Sequence, residues 1–249
     1  SLRQPEFIAW LKNLRPDLIV TVAYGRLLTA QLLNLPPLGC INLHASYLPA
    51  YRGAAPIHRA IMEGAAFSGV SIIELTPELD AGAIIVQEKE IITDHDNAGT
   101  LHDRLAQLGA KLLLQAVDDL AAGEASKTPQ DDQLATYAPP LTREDEELDW
   151  NRSAVELFNQ VRGLNPWPGA YTKLCGKRIK VWQASLSEMK AADPKLKVPG
   201  TIIDIEEGSL TVATGNGALT LLKLQPAGKK AMDATSFCCG YPIAPGEQL

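Results

Sequence analysis

The chain has 249 residues, 46% of them hydrophobic and 21% charged, with a formal net charge of −6. That length is enough for two ordinary domains, and the composition is that of a soluble globular protein and not of a disordered chain. The longest apolar runs, Leu18 to Ala23 and Ile84 to Val86, fall far short of the roughly 20 residues of a membrane-spanning helix, so no membrane partner is expected.

The first residues, Ser1 to Glu6, carry no initiator Met and lack the basic-then-apolar layout of a secretory signal, so the chain reads as an internal start. Its four scattered cysteines fit a reducing cytoplasm best. A short amphipathic helix is expected from Glu6 to Asn13. The apolar, β-branched run Leu18 to Ala23, closed by Tyr24-Gly25, is the pattern of a strand buried on both faces. Further strands are expected over Gly39 to Ser46, Gly69 to Leu75 and Ala83 to Ile92, with helices near Ala30 to Leu33 and Ala55 to Glu63 between them. This is an α/β arrangement. Thr100 reads as the cap of a helix whose apolar residues Leu101, Leu105, Leu108, Leu112 and Ala116 recur at steps of three and four as far as Leu120, a stripe fit to cover the sheet.

From about Ala125 the composition turns to Lys, Thr, Pro, Gln and Asp, with Pro139-Pro140 and the acidic run Glu144 to Glu147, which reads as solvated. Three parts follow: a domain over residues 1–124, a linker over 125–150 and a second domain over 151–249. In the last, Ser153-x-x-Glu156 forms a capping box ahead of a short helix. Five short strands then alternate with turns, over Ala170 to Leu174, Arg178 to Ala184, Thr201 to Ile205, Leu210 to Ala213 and Ala218 to Leu224. That spacing suggests a small barrel of the oligonucleotide/oligosaccharide-binding (OB) type. Pro168 to Leu249 holds 10 Lys and Arg against 7 Asp and Glu, so the acidic balance lies in the front part and the rear is mildly basic.

Cys40, Cys175 and the adjacent Cys238-Cys239 form neither a disulfide framework nor a metal spacing, and His44, His58, His95 and His102 have no nearby Cys, so no metal is expected. Chemistry is better sought in Ile41-Asn42-Leu43-His44, where the strand period of two places Asn42 and His44 on one face. An Asn amide can donate to a developing oxyanion, and a His can donate to it or exchange a proton with a nucleophile. Asp80, in Leu79-Asp80-Ala81-Gly82 beyond the third strand, can reach the same sheet edge and orient His44. By itself an Asn-x-His pair is also the pattern of residues that satisfy loop backbone, and an Asp before a small residue and Gly is the pattern of a turn.

Asn42-x-His44, followed by Ser46-x-Leu48-Pro49 and Arg52-Gly53 and by Leu79-Asp80-x-Gly82, resembles the signature of the folate-dependent formyltransferases. Val22-Ala-Tyr24-Gly25 is similar to the strand end that flanks the pterin pocket in that family. Arg162-x-x-Asn165-Pro-Trp-Pro-Gly169, Lys229-Lys-Ala-Met232 and Phe237 to Gly240 resemble the branch that acts on methionyl-tRNA, in which a barrel follows the catalytic domain. The resemblance implies a Rossmann-like formyltransferase domain, N-terminally truncated because the family's first strand and helix units and a basic loop are not present before Ser1. It implies 10-formyltetrahydrofolate as donor and the α-amino group of methionyl initiator tRNA as acceptor. The catalytic set would be Asn42, His44 and Asp80, with Tyr24, Gly25, Ser46, Tyr47, Leu48 and Pro49 against the folate. Tyr47 stands where the family usually has Leu.

The basic residues Lys173, Lys177, Arg178, Lys180, Lys229 and Lys230 are candidates for tRNA phosphates on one strand-built face. The protein would act as a monomer. Two other readings stay open at this point: a formyltransferase for an amino sugar nucleotide, and a non-catalytic nucleic-acid-binding protein.

Overall fold

The computed structural model describes residues 4–187, 198–206, 208–241 and 243–249. The chain divides into two compact units. One comprises Ser1–Arg59, Ala66–Thr93 and Leu101–Pro140; the other comprises Ala60–Ala65, Asp94–Thr100 and Leu141–Leu249.

The first unit is built on a four-stranded sheet. Helix α1 (Pro5–Leu14) leads into β1 (Ile19–Val22), α2 (Ala30–Leu33), β2 (Cys40–His44) and the short β3 (Arg52–Gly53). After α3 (Pro56–Met62), β4 (Phe67–Glu74) and β5 (Ile84–Ile91) complete the order β1-β2-β4-β5. β1 runs parallel to β2, with Thr21 opposite Asn42, whereas β2 and β4 are antiparallel, with His44 opposite Ser71. The sheet is therefore mixed. β4 is its buried centre, with Val70, Ile72 and Ile73 fully enclosed.

Helix α4 (Ala98–Ala122) buries Leu101, Leu105, Leu112, Ala116 and Leu120, the stripe expected from their spacing. It lies on the sheet where Gly109, having no side chain, accommodates Leu43; a Cβ there would stand 2.7 Å from the Leu43 Cδ1. Thr100 is not its cap. Asn97 Oδ1 accepts the Thr100 backbone N–H and the Thr100 hydroxyl accepts that of Asn97, so Asn97 takes the capping position and Thr100 the reciprocal one. The segment beyond α4 carries structure: Thr128 bridges to Ile84, a 3-10 turn spans Asp132–Leu134, and β6 (Tyr137–Ala138) pairs parallel with β3.

In the second unit α5 (Ala154–Gly163) starts at the expected Ser153/Glu156 capping box. The strands are β7 (Ala170–Leu174), β8 (Lys177–Leu186), β9 (Ile202–Glu206), β10 (Ser209–Ala213), β11 (Ala218–Pro226) and β12 (Met232–Asp233), followed by α6 (Ala234–Gly240). Their order is β7-β8-β11-β10-β9, with β12 beside β11. Among the described residues this sheet does not close into the expected barrel; β7 and β9 remain its ends. The physical reason lies in how the apolar face is covered. Ile179, Val181, Leu210, Val212, Leu219 and Leu221 cluster with Leu157 and Val161 of α5 and Phe237 of α6, so helices bury that face without closure. A side chain as enclosed as Val181 or Leu224 contributes roughly 1.5–3 kcal/mol.

Candidate active site

The catalytic candidates lie on or beside β2, with Asn42 at its middle, His44 at its carboxyl end and Asp80 facing His44 from the turn after β4. Asn42 and His44 share one face of the strand, as the two-residue period requires, and His44, its last residue, is only 5% exposed. Asn42 Oδ1 accepts the Thr21 hydroxyl of β1 at 2.7 Å. That contact fixes the amide with its NH2 group turned away from Thr21, where it is available as a donor.

His44 is held from both sides. Its Nε2 lies 2.8 Å from the Tyr51 carbonyl, an acceptor only, so this nitrogen carries the hydrogen. Nδ1 faces Asp80 Oδ2 at 3.6 Å, with the Asp80 side chain 11% exposed. Asp80 Oδ2 also accepts the Gly53 backbone N–H at 2.8 Å. Asp80 itself has φ of 48°, a left-handed conformation for which Asp and Asn are among the better suited residues. Gly82 makes that turn possible, because a Cβ there would collide with the Glu74 carbonyl.

The loop between β2 and β3 is pinned from below. Ser71 Oγ donates to the Ser46 carbonyl at 2.8 Å and accepts the Leu48 N–H at 3.1 Å, while Ser46 Oγ donates to the Ala50 carbonyl at 2.6 Å. Ser46 and Leu48 are buried, their side chains turned to the interior, and Pro49 follows Leu48 through a cis peptide bond. Tyr47 is half-buried between Phe67 and Lys89, whose ammonium lies over both rings. Tyr24, 45% exposed, and Thr21 line an apolar groove with Phe7, Leu11, Val22 and Leu28; Gly25 has φ of 66° and open space around it.

The basic candidates divide. Lys173 opposes Arg178 and Tyr171 opposes Lys180 across β7 and β8, so these four share the outward face, whereas Lys177 opposes Leu174 at the strand end. Gln225 draws the next members near: it accepts Trp182 Nε1–H and donates to the Lys229 carbonyl, and Lys229 and Lys230 are exposed. The acidic run is not a solvated stretch. Glu147 binds Lys173 Nζ at 2.6 Å and the Tyr171 hydroxyl at 2.7 Å, and Glu146 stands 3.6 Å from Arg178. Lys173 and then Tyr171 hold the Glu147 carboxyl below its usual range, and Glu147 in turn raises the lysine. Gln160 sets the run in place by donating to the Asp145 and Glu147 carbonyls.

Sequence reasoning missed Thr21, the Tyr51 carbonyl, Ser71 and Gln130, each of which holds a candidate residue or its loop. Only Thr21 had a local signal, its place in a strand next to that of Asn42. Among the described residues no group of three or more His, Cys, Asp or Glu side chains is placed to hold a metal ion, and no helix is long and apolar enough to cross a membrane.

An amide donor, an imidazole and a carboxylate stand here beside a fixed backbone loop, groups that can donate to an oxyanion and exchange a proton. Residues 1–117 match the formyl transferase family and residues 140–242 match the formyl transferase C-terminal domain, so the chain belongs to the formyl transferase family. It is 47% identical to the methionyl-tRNA formyltransferase of Moorella thermoacetica, over all of this chain and 79% of that protein. The Bacillus subtilis methionyl-tRNA formyltransferase is also 47% identical, over all of this chain and 78% of its own length. Among solved structures, HypX from Aquifex aeolicus in complex with tetrahydrofolic acid has the same fold, with a TM-score of 0.69 at 19% identity over 99% of this chain and 44% of that one.

Proposed function

We propose that the protein transfers a formyl group from 10-formyltetrahydrofolate to the α-amino group of methionyl initiator tRNA, in the cytosol, as a monomer. The observation that carries the acceptor is the 47% identity to methionyl-tRNA formyltransferases, which runs through both family domains. Residues 1–124 would form the catalytic domain, 125–150 the link and 151–249 the tRNA-binding domain. An OB-like character for the latter is supported by its short antiparallel strands and by the register shifts along β11.

The amine nitrogen attacks the formyl carbon and forms a tetrahedral oxyanion, which collapses with cleavage of the bond to N10, and the proton lost by the amine passes to N10. Asn42 donates to the oxyanion from the NH2 group that Thr21 leaves available. The His44 Nδ1 edge, beside Asp80, is where a proton is exchanged, since Nε2 is committed to Tyr51. Tyr24, Gly25, Tyr47 and Pro49 contact the folate, and Ser46 and Leu48 contribute backbone. Lys173, Lys177, Arg178, Lys180, Lys229 and Lys230 receive tRNA phosphates.

The test is formyl transfer from radiolabelled donor, run on charged initiator tRNA and on amino sugar nucleotides, with His44→Ala as the control for background. Transfer to the tRNA alone supports the reading. Transfer to a sugar nucleotide alone would replace it.

A further inference from the structure

We propose that Gln130 is a positioning residue of the formyl-transfer site, setting the spacing between His44 and Asp80 without touching a reacting atom. This inference rests on the formyl-transfer reading above. Gln130 lies far from both residues in sequence, yet every hydrogen-bonding capacity of its amide is used around them. Its Nε2 donates to the Asp80 carbonyl and to the Gly82 carbonyl, each at 2.8 Å. Its Oε1 accepts from Arg52 Nε at 3.0 Å and from the Arg52 terminal nitrogen at 2.8 Å. The two donors and two acceptors leave one orientation of the amide, because a flipped group would set oxygen against carbonyl and NH2 against guanidinium.

The two sides that this amide joins are the two sides of the catalytic contact. Asp80 and Gly82 belong to the left-handed turn that presents the carboxylate. Arg52 lies between Tyr51, whose carbonyl holds His44 Nε2, and Gly53, whose N–H holds Asp80 Oδ2. Its guanidinium is buried and locked on its outer side by Asp132, itself 79% exposed, at 2.7 Å. A change at Gln130 therefore lets the carboxylate turn and the imidazole's anchor separate, while His44, Asp80 and the folate loop keep their own side chains. Misplacement by about 1 Å in such an arrangement costs on the order of 10²-fold in rate.

Gln130→Met keeps length and removes all four bonds; Gln130→Glu keeps the acceptors for Arg52 but loses both donors and sets a carboxylate against two carbonyls. In steady-state formyl transfer by the full chain, both variants should lower kcat by roughly 10- to 100-fold with little change in KM for the folate donor. Gln130→Glu should also displace the pH dependence of kcat, because its added charge stands beside the His44/Asp80 pair. In an Asp80→Asn background, Gln130→Met should cost almost nothing further, since the group it positions is already lost. A purely structural role predicts lower thermal stability with kcat and pH profile intact, or full additivity with Asp80→Asn; either result overturns the proposal. An unmodified chain that fails to formylate charged tRNA would instead remove the functional reading, so the two failures are distinguishable.

Discussion

Asp80 accepts the backbone N–H of Gly53 through the same carboxylate oxygen that stands 3.6 Å from His44 Nδ1, so the loop bond fixes the oxygen that faces the imidazole. Asn in its place keeps an oxygen for Gly53 and tolerates the left-handed backbone at this position as Asp does. Asp80→Asn is therefore expected to fold with an unchanged circular dichroism spectrum and to lose most of kcat. Near-normal turnover by the folded variant would reduce Asp80 to a turn former.

Thr21 orients the Asn42 amide by donating to its oxygen. Thr21→Val keeps the branched shape but leaves the amide free to turn its oxygen toward the oxyanion. One such hydrogen bond contributes roughly 0.5–1.5 kcal/mol, so kcat should fall about 2- to 10-fold. Steady-state kinetics at saturating folate checks this, and an unchanged kcat would show that the strand contact does not govern the amide.

Glu156 caps α5, and its carboxyl is lowered from an ordinary 4.5 to about 2 by the Ser153 side chain, the Ser153 N–H and Arg152. A depressed carboxyl stabilises the fold above its unfolded value and loses that contribution as pH falls from about 4.5 toward 2. Glu156→Gln keeps an acceptor for the cap but cannot titrate. Its melting temperature should therefore fall less steeply than that of the unmodified protein across this window, and parallel acid limbs in thermal scans would show that the cap's charge is without effect.

Lys229 and Lys230 are exposed, whereas Lys173 and Arg178 already face Glu147 and Glu146. Replacing Lys229 and Lys230 together by Ala should flatten the slope of log K for tRNA against log salt by up to about two units and leave folate binding unchanged. Lys173→Ala should change the slope less, because that lysine exchanges one anionic partner for another. Equal slope changes, read from filter binding across a salt series, would contradict this ordering.

Much of the first unit was legible because periodicity reports faces. The alternation in Ile41 to His44 placed Asn42 beside His44, and the apolar stripe of α4 placed Leu101 and Leu112 inward. Periodicity says nothing of neighbours, which is why the rear strands were found but their order was not: nothing in Ala218 to Pro226 announces that β11 lies between β8 and β10. Polar segments were the other blind spot. Gln130 and Asp132 sit in a stretch whose composition is that of a solvated linker, and their partner Arg52 is some 80 residues away. The acidic run was misread for the same reason, since its partners Tyr171, Lys173 and Arg178 belong to strands that follow it.

The loop from Ser46 to Gly53 meets fixed partners along its length. Ser71 holds its start, Thr136 binds the Tyr51 and Arg52 amides and donates its own N–H to the Pro49 carbonyl, and Asp80 holds its end. A segment restrained this way gives up its conformational entropy when the chain folds and has little left to lose when a ligand arrives. On the proposed reading, in which the folate donor binds at this loop, its binding should behave as a rigid-surface event: its heat-capacity change should match the apolar area covered, with no added signature of a folding segment.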